Sequence, residues 1–377
     1  MSLGRIRAVA RKEFLHVVRD PRSLGMAVAI PMLMLLLFGY ALTLDVDNVP
    51  LIVWDQSATP ESRELVSRFD LSPYFRVCRH IDRPAEIDAA MDRREAMAAL
   101  VIPRQFAADL AAGRDAAVQW IVDGSDSNTA TIAIGYAEVI VQIYAQDIAA
   151  RQLQRATGRG LRVPLDVRPR VWFNADLQSR NFIVPGLIAV IMMVIGALLT
   201  SLTMAREWER GTMEQLISTP VKGTELILGK LIPYFAIGML DVLLAVLMGE
   251  WLFGVPLRGN VALLFGLSAV FLVGALAMGM TISIVAKSQL LASQVAMVAT
   301  FLPAFLLSGF MFAIANMPAA IRMITYIVPA RYFVVILKGI YLKGVGLEIL
   351  AGQAALLAAY GTMVTLLAVK RFKKKLA

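Results

Sequence analysis

Residues 182–205, FIVPGLIAVIMMVIGALLTSLTMA, run for two dozen positions without one charged side chain. At 1.5 Å rise per residue, a helix of that length covers the ~30 Å hydrocarbon core of a bilayer. Runs of similar length recur at about 24–44, 226–249, 261–286, 289–313 and 349–369. Inside lipid, every backbone N–H and C=O must find its partner within the segment, so each run is expected to be helical. The overall composition agrees, since 58% of the residues are apolar, above the roughly half found in soluble proteins. The expectation is an α-helical membrane protein with six transmembrane helices.

The first run could be mistaken for a secretion signal. It is longer than the roughly 7–15 apolar residues of such a signal, and no small-x-small cleavage site follows it. It reads as a retained span. Six spans place both termini on one side, and basic residues mark that side as cytoplasmic. Residues 1–23 carry Arg5, Arg7, Arg11, Lys12, Arg19 and Arg22 against Glu13 and Asp20, and the tail reads KRFKKK. A bacterial inner membrane with both ends cytoplasmic is the expected location. Segment 45–178 then lies outside; its 15 Arg and 19 acidic residues, with no Lys, give a net charge of −4 within a chain of +9.

That outer segment reads as an inserted α/β domain. VPLIVWDQS, FRVCRHI, AMAALVIP, AAVQWIVDGS and LRVPLDVRPRVWF are β-prone runs. PESRELVSRF, PAEIDAAMDR and PRQFAADLAAG look helical, with proline near their starts, and a longer helix is expected over about 128–155. At about 134 residues the segment can hold a core of its own. Segment 315–348 is apolar but interrupted by Pro318, Pro329 and the basic residues Arg322, Arg331, Lys338 and Lys343. It is expected to form a re-entrant or interfacial pair at the outer face, within a membrane domain of 179–377. Pro303 and Gly309 suggest that the fifth span is broken near its outer end.

Several chemistries are excluded early. The single cysteine, Cys78, permits no internal disulfide, and with two histidines a conventional structural zinc site is not expected. The basic surplus falls at the ends of apolar runs rather than in a patch, which argues against a nucleic-acid partner. DGSDSN at 123–128 lacks the glycine and closing glutamate of a calcium loop; Asp126 or Ser127 is better read as a helix N-cap. No HExxH, GxSxG or Cys/His pair suggests catalysis, and no metal or cofactor is expected in this chain.

Two cytoplasmic stretches carry more charge than topology needs. In RIRAVARKEFLHVVRDPRS, residues Ile6, Val9, Ala10, Phe14, Val17 and Val18 follow helical spacing, which predicts an amphipathic helix on the inner membrane surface over 1–23. A generic basic anchor is the plainer reading of the same pattern. In AREWERGTMEQLISTP, residues 205–220, a single helix would put Ala205, Trp208, Thr212 and Leu216 on one face and Glu207, Arg210 and Glu214 on the other. Residues 206–230 hold four basic and four acidic side chains, so this is not the short basic loop that topology alone calls for. A solvated charged face is one reading, and a docking surface for a cytoplasmic partner is the other.

These motifs carry a resemblance. EWERGTMEQLISTPVKGTELILGKLIPYF looks like the signature between the second and third spans of ABC-2-type exporter permeases. ARKEFLHVVRDPRS, FGYALTLD, VDGSDSNTA, RNFIVPG, LPAFLLSGFMF and IVPARYF extend the match over nearly the whole chain. The chain is most similar to multidrug-type inner-membrane permeases with a large domain between spans one and two. The resemblance implies a coupling loop, 206–225, that docks on a separate ABC ATPase subunit, with Arg206, Glu207, Glu209, Arg210, Gly211, Thr212 and Glu214 at the matching positions. It also implies that the N-terminal helix braces the same ATPase through Glu13 and Arg19-Asp20-Pro21. Pairing with a second copy or a sister permease is implied too. The external domain would cap the exit or bind a periplasmic adaptor.

No engine is encoded here. The nearest approach to GxxxxGK[ST], GTELILGKL at 223–231, has one residue too many between its glycines and Leu231 where Ser or Thr should bind magnesium. ATP and magnesium are therefore expected on the partner. One acidic residue lies mid-membrane, Asp241 in the third span, which normally faces protein or water. It reads as a cation, proton or cationic-cargo contact, or as a buried Asp bonded within the bundle. Gly266, Gly274 and Gly279 in the fourth span permit close helix packing, within or between subunits. The rival functions are an ion-coupled secondary transporter using Asp241 and a non-transporting membrane scaffold.

Overall fold

The computed structural model describes residues 2–42, 46–157, 172–174 and 178–372. The chain divides into two compact units, Met1–Thr43 with Arg170–Ala377, and Leu44–Pro169. The first begins with helix α1 (Leu3–Val18) and helix α2 (Pro21–Ala41). Pro21 opens α2, where its missing N–H costs no hydrogen bond.

The second unit runs β1 (Val49–Asp55), α3 (Pro60–Asp70), β2 (Phe75–His80), α4 (Ala85–Asp92), β3 (Ala98–Ile102), α5 (Phe106–Ala111), β4 (Gln119–Val122) and α6 (Ser127–Thr157). The strand order is β2-β1-β3-β4, with β1 parallel to both β2 and β3, and β4 antiparallel at the edge. Strand alternation sorts the core onto two faces. Leu51, Val53, Leu100 and Ile102 pack with Phe69, Phe75 and Tyr144 on one side. Ile52, Ala99 and Val101 pack with Ile87 and Ala90 of α4 on the other. Side chains cap two helix starts, of which only the Asp126 cap was expected. Thr59 and Ser62 bond reciprocally at the start of α3, and Asp126 accepts the N–H groups of Asn128 at 3.1 Å and Thr129 at 3.3 Å before α6. The strand expected over 161–173 falls mostly outside the described residues; Trp172 and Phe173 are not in a strand.

The chain re-enters the first unit as α7 (Arg180–Glu209), which is buried almost throughout. After α8 (Thr212–Ser218), α9 (Gly223–Leu247) ends in a π turn at Met248–Leu252. Then follow α10 (Val261–Ala286), α11 (Gln289–Leu307), α12 (Ala319–Thr325), α13 (Pro329–Lys338) with a π turn at Gly339–Lys343, and α14 (Leu347–Arg371). Among the described residues, five helices are long and apolar enough to cross a membrane: α7, α9 with its π turn, α10, α11 and α14. Of α2, the stretch Ala27–Ala41 is apolar but shorter than that.

The α7–α10 crossing sets the frame. A Cβ on Gly279 would overlap Ala197 O and Thr200 Oγ1 of α7, so only glycine permits this approach. Thr200 Oγ1 donates to Leu276 O at 2.7 Å, and Ser283 Oγ accepts the N–H groups of Met204 at 3.0 Å and Ala205 at 2.9 Å. Gly274 meets Tyr360 and Gly361 of α14, whereas Gly266 faces open space. Gly274 and Gly279 thus pack within the subunit.

One boundary needs adjusting. The fifth helix stops at Leu307, short of the expected 313, because Gly309 turns the chain at φ +80°. Segment 315–348 contains α12 and α13, bent by 82° at their break, as its prolines suggested. Its basic residues are used locally. Arg322 donates to Met317 O at 3.1 Å, and Arg331 stacks 3.8 Å over Tyr326. Lys338 bonds Gly309 O at 3.2 Å, and Lys343 lies 5.7 Å over the Phe173 ring.

Candidate functional site: a buried ion cluster beneath the 206–225 loop

The buried side of α1 rests on α9. Gly229 allows the contact, since a Cβ there would crowd Val9 and Ile6 O. Glu225, at the start of α9, ties the two helix ends together. It accepts the N–H of Lys222 at 2.9 Å and of Ser2 at 2.7 Å, and Arg5 lies 3.6 Å away. Arg5 also donates to Pro220 O at 2.7 Å. The opposite side of α1 exposes Leu3, Phe14 and Val18 beside Arg7 and Arg11. That side of α1 is thus both apolar and cationic.

Two turns into α9 stands Lys230, with its side chain 2% exposed. Its Nζ lies 2.7 Å from Glu13 Oε1 on α1 and 3.0 Å from Glu207 Oε1 on α7. Lys12 reaches the same Glu207 oxygen at 3.1 Å, and the Thr212 hydroxyl donates to Oε2. Two carboxylates thus face two ammonium groups, and the cluster is neutral. Burying any one of these charges alone would cost several kcal/mol, so they stabilise only as a set. Arg206 donates to His16 Nε2 at 2.8 Å and to Gln289 Oε1 at 3.4 Å. A cavity of about 190 Å³ beside the cluster is lined by Glu13, His16, Arg206, Glu207, Arg210 and Thr212, among others.

The 205–220 stretch is not the single helix that was expected. Helix α7 runs to Glu209 with Arg210 as its cap, Gly211 takes φ 69°, and α8 begins at Thr212. The left-handed glycine breaks the expected faces. Glu207 turns inward, while Arg210, Gly211 and Glu214 stay exposed. Glu209 is also exposed, and its Oε1 accepts the Gln289 N–H at 2.7 Å. A carboxylate there suits the partial positive charge at the start of α11. Arg19 is exposed beyond α1 and stands outside the cluster.

The structure therefore gathers Glu13, Glu207 and Thr212, sets Arg206 beside them, and leaves Glu209, Arg210, Gly211, Glu214 and Arg19 at the surface. Lys230, Lys12, His16 and Glu225 were not anticipated. A signal did exist, because a lysine inside an apolar run must find a counter-ion.

Asp241 lies on the same face of α9 as Lys230, three turns on and roughly 16 Å away along the axis. It is 5% exposed. Among the described residues neither carboxyl oxygen has a hydrogen-bond partner, so the bonded reading of this residue is not what the structure holds. It lines a narrow cavity of about 10 Å³, roughly one water's worth, with Met32, Leu35, Ile191, Gly196 and Leu272. Among the described residues no group of His, Cys, Asp and Glu could hold a metal ion.

The profile described as ABC-2 family transporter protein matches residues 21–370. The chain is 44% identical over 347 residues to the probable multidrug ABC transporter permease YbhS of Escherichia coli K12, covering 91% of this chain and 90% of that one. It is 30% identical to the probable multidrug ABC transporter permease YbhR of the same strain, covering 92% of each. It is 28% identical to the inner membrane transport permease YhhJ, over 86% of this chain and 85% of the other.

Proposed function

The chain belongs to the ABC-2 family of transporter permeases, and from that premise we propose that it is the membrane subunit of an ATP-driven exporter of small amphipathic compounds, drug-like or lipid-like. The words multidrug and permease in the names of its relatives support this cargo class. Six spans, with both termini and the 206–225 loop in the cytoplasm and residues 45–178 outside, accord with the placement of basic residues. Two permeases, identical or sister chains, form the pathway in the inner membrane. ATP and magnesium sit on a separate ABC ATPase beneath them. The outer unit caps the exit or receives a periplasmic adaptor.

The observation that carries this reading is Lys230 bridging Glu13 and Glu207. The exposed turn Arg210-Gly211 and Glu214 meet the ATPase. A push on α8 passes through Thr212 to Glu207, and through Lys230 to both α9 and α1. Of the helices so linked, α7 and α9 also line the Asp241 cavity. ATP-driven uptake of cargo into inside-out vesicles, measured with the ATPase present, tests the assignment. Arg210→Glu and Glu214→Lys should abolish export and ATPase co-purification, and unimpaired export in both would refute the coupling role.

Asp241 supports a second reading, ion-coupled transport, because its buried carboxyl lacks a partner among the described residues. Transport that continues without any ATPase and stops in Asp241→Asn would favour that alternative. Vesicles that transport nothing under either condition would instead point to a scaffold.

A further inference from the structure

Between α2, α7 and α9 lies a groove of about 280 Å³, near the ~300 Å³ at which ligand pockets begin. Leu24, Ala27 and Ile30 form one wall, and Leu198, Leu199 and Leu202 the other. One end is polar, lined by His16, Asp20 and Arg206. Arg206 bonds only the His16 and Gln289 side chains, with no carboxylate at ion-pair distance among the described residues. A cation without a counter-ion at the mouth of an apolar groove is costly. Around the same end, α1 presents Arg11, Lys12 and Arg19, which share with His16 the wall of an adjoining open cleft. Lys12 is held by Glu207, but Arg206, Arg11 and Arg19 still exceed the single acidic Asp20.

The groove therefore has an apolar body and a cationic head, which is the complement of an anionic amphiphile. It opens sideways, with Ile30 45% exposed, on the same helix pair whose α1 exposes Leu3 at 87% and Phe14 at 54%. These are surfaces that lipid covers in a membrane protein. We propose that the groove holds one anionic phospholipid of the leaflet on which α1 lies. Its acyl chain runs along Leu198, Leu199 and Leu202, and its phosphate pairs with Arg206, flanked by the α1 cations. Arginine suits this role because its planar fork binds phosphate in bidentate fashion.

The inference goes beyond the export reading and does not need it, because binding is measured on the permease alone. The full chain is purified in detergent and titrated with phosphatidylglycerol or phosphatidylethanolamine, and bound lipid is counted by native mass spectrometry. The wild type should retain one phosphatidylglycerol about tenfold more tightly than phosphatidylethanolamine. Arg206→Gln should remove that preference, and Leu199→Trp, which fills the groove, should remove the bound lipid. Competition by inorganic phosphate should fail, because the acyl chain contributes to binding; displacement by phosphate would overturn the lipid assignment. Equal retention of the two lipids by the wild type would also overturn it, and that arm needs no variant to fold. Unchanged retention in both variants would do the same.

Discussion

Lys230 and Glu13 are 217 residues apart in sequence, yet Lys230 Nζ and Glu13 Oε1 stand 2.7 Å apart in a site almost closed to water. This contact joins the N-terminal helix to the third apolar helix. Through the second oxygen partner, Glu207, it also reaches the turn that follows α7.

Removing the lysine should be costly. Lys230→Met keeps the volume but leaves the buried Glu13 without an ion partner among the described residues and Glu207 with only the half-exposed Lys12. The expected loss is about 3–5 kcal/mol, seen as a lowered melting temperature of the purified permease. Adding Glu13→Gln should recover part of that loss. A double-mutant cycle with no coupling between the two positions would contradict the cluster.

Position relative to the surface should separate two groups of loop variants. Arg210→Glu and Glu214→Lys alter exposed side chains, so thermal stability should stay within about 0.5 kcal/mol while ATPase co-purification falls. Glu207→Lys sets a third ammonium beside Lys230 and Lys12 and should reduce folded protein itself. Size-exclusion profiles of a fluorescent fusion report the second effect independently of the first.

The glycines of α10 should differ sharply in tolerance. Gly279→Ala places a methyl group into Ala197 O and Thr200 Oγ1, so the α7–α10 crossing must open. Overpacking of this kind costs about 1–3 kcal/mol or more. Gly266→Ala meets nothing within 4 Å and should be neutral or slightly stabilising through its helix propensity. Thermal shifts of the two variants, compared side by side, check the contrast.

Acid should weaken the α/β unit through Glu64. The hydrogen bond from Arg151, with Arg68 adding to it, holds its carboxyl below the usual value. A depressed folded-state pKa contributes stability that is present above the unfolded value, near 4.5, and lost as pH falls through the folded one. The side chains are partly exposed, so the effect is under about 1 kcal/mol. Protection factors of α3 and α6 amides in the full chain, corrected for the intrinsic pH dependence of exchange, should fall below that pH, and Glu64→Gln should remove this dependence.

Asp241 should be stabilising when lost and damaging to transport when lost. Its two oxygens are buried without partners among the described residues, at a cost of about 1–3 kcal/mol. Asp241→Leu should raise the melting temperature and reduce export from vesicles. A variant that transports at the wild-type rate would leave this carboxylate no part in the pathway.

Much of the architecture was legible in the sequence. Runs such as 182–205 and 261–286 leave a chain in lipid no alternative to helix, and α7 and α10 cover them. Pro60 and Asp126 marked helix starts because a missing N–H and a carboxylate acceptor act locally. The 205–220 stretch was read less well. Periodicity treated it as one helix, whereas Gly211 adopts φ 69° and divides it. Glycine permits that angle without announcing it.

The sequence by itself determined where the chain can enter a bilayer, where it must leave, and which family's loop it carries. Those properties depend on side-chain polarity over a few neighbouring residues. Only the tertiary structure decided that Glu207 faces Lys230 rather than solvent, that Gly279 serves the α7 contact while Gly266 serves none, and that Arg206 sits at the mouth of a groove. Each depends on which distant helix arrives at which face, and that is settled by packing between segments up to some two hundred residues apart.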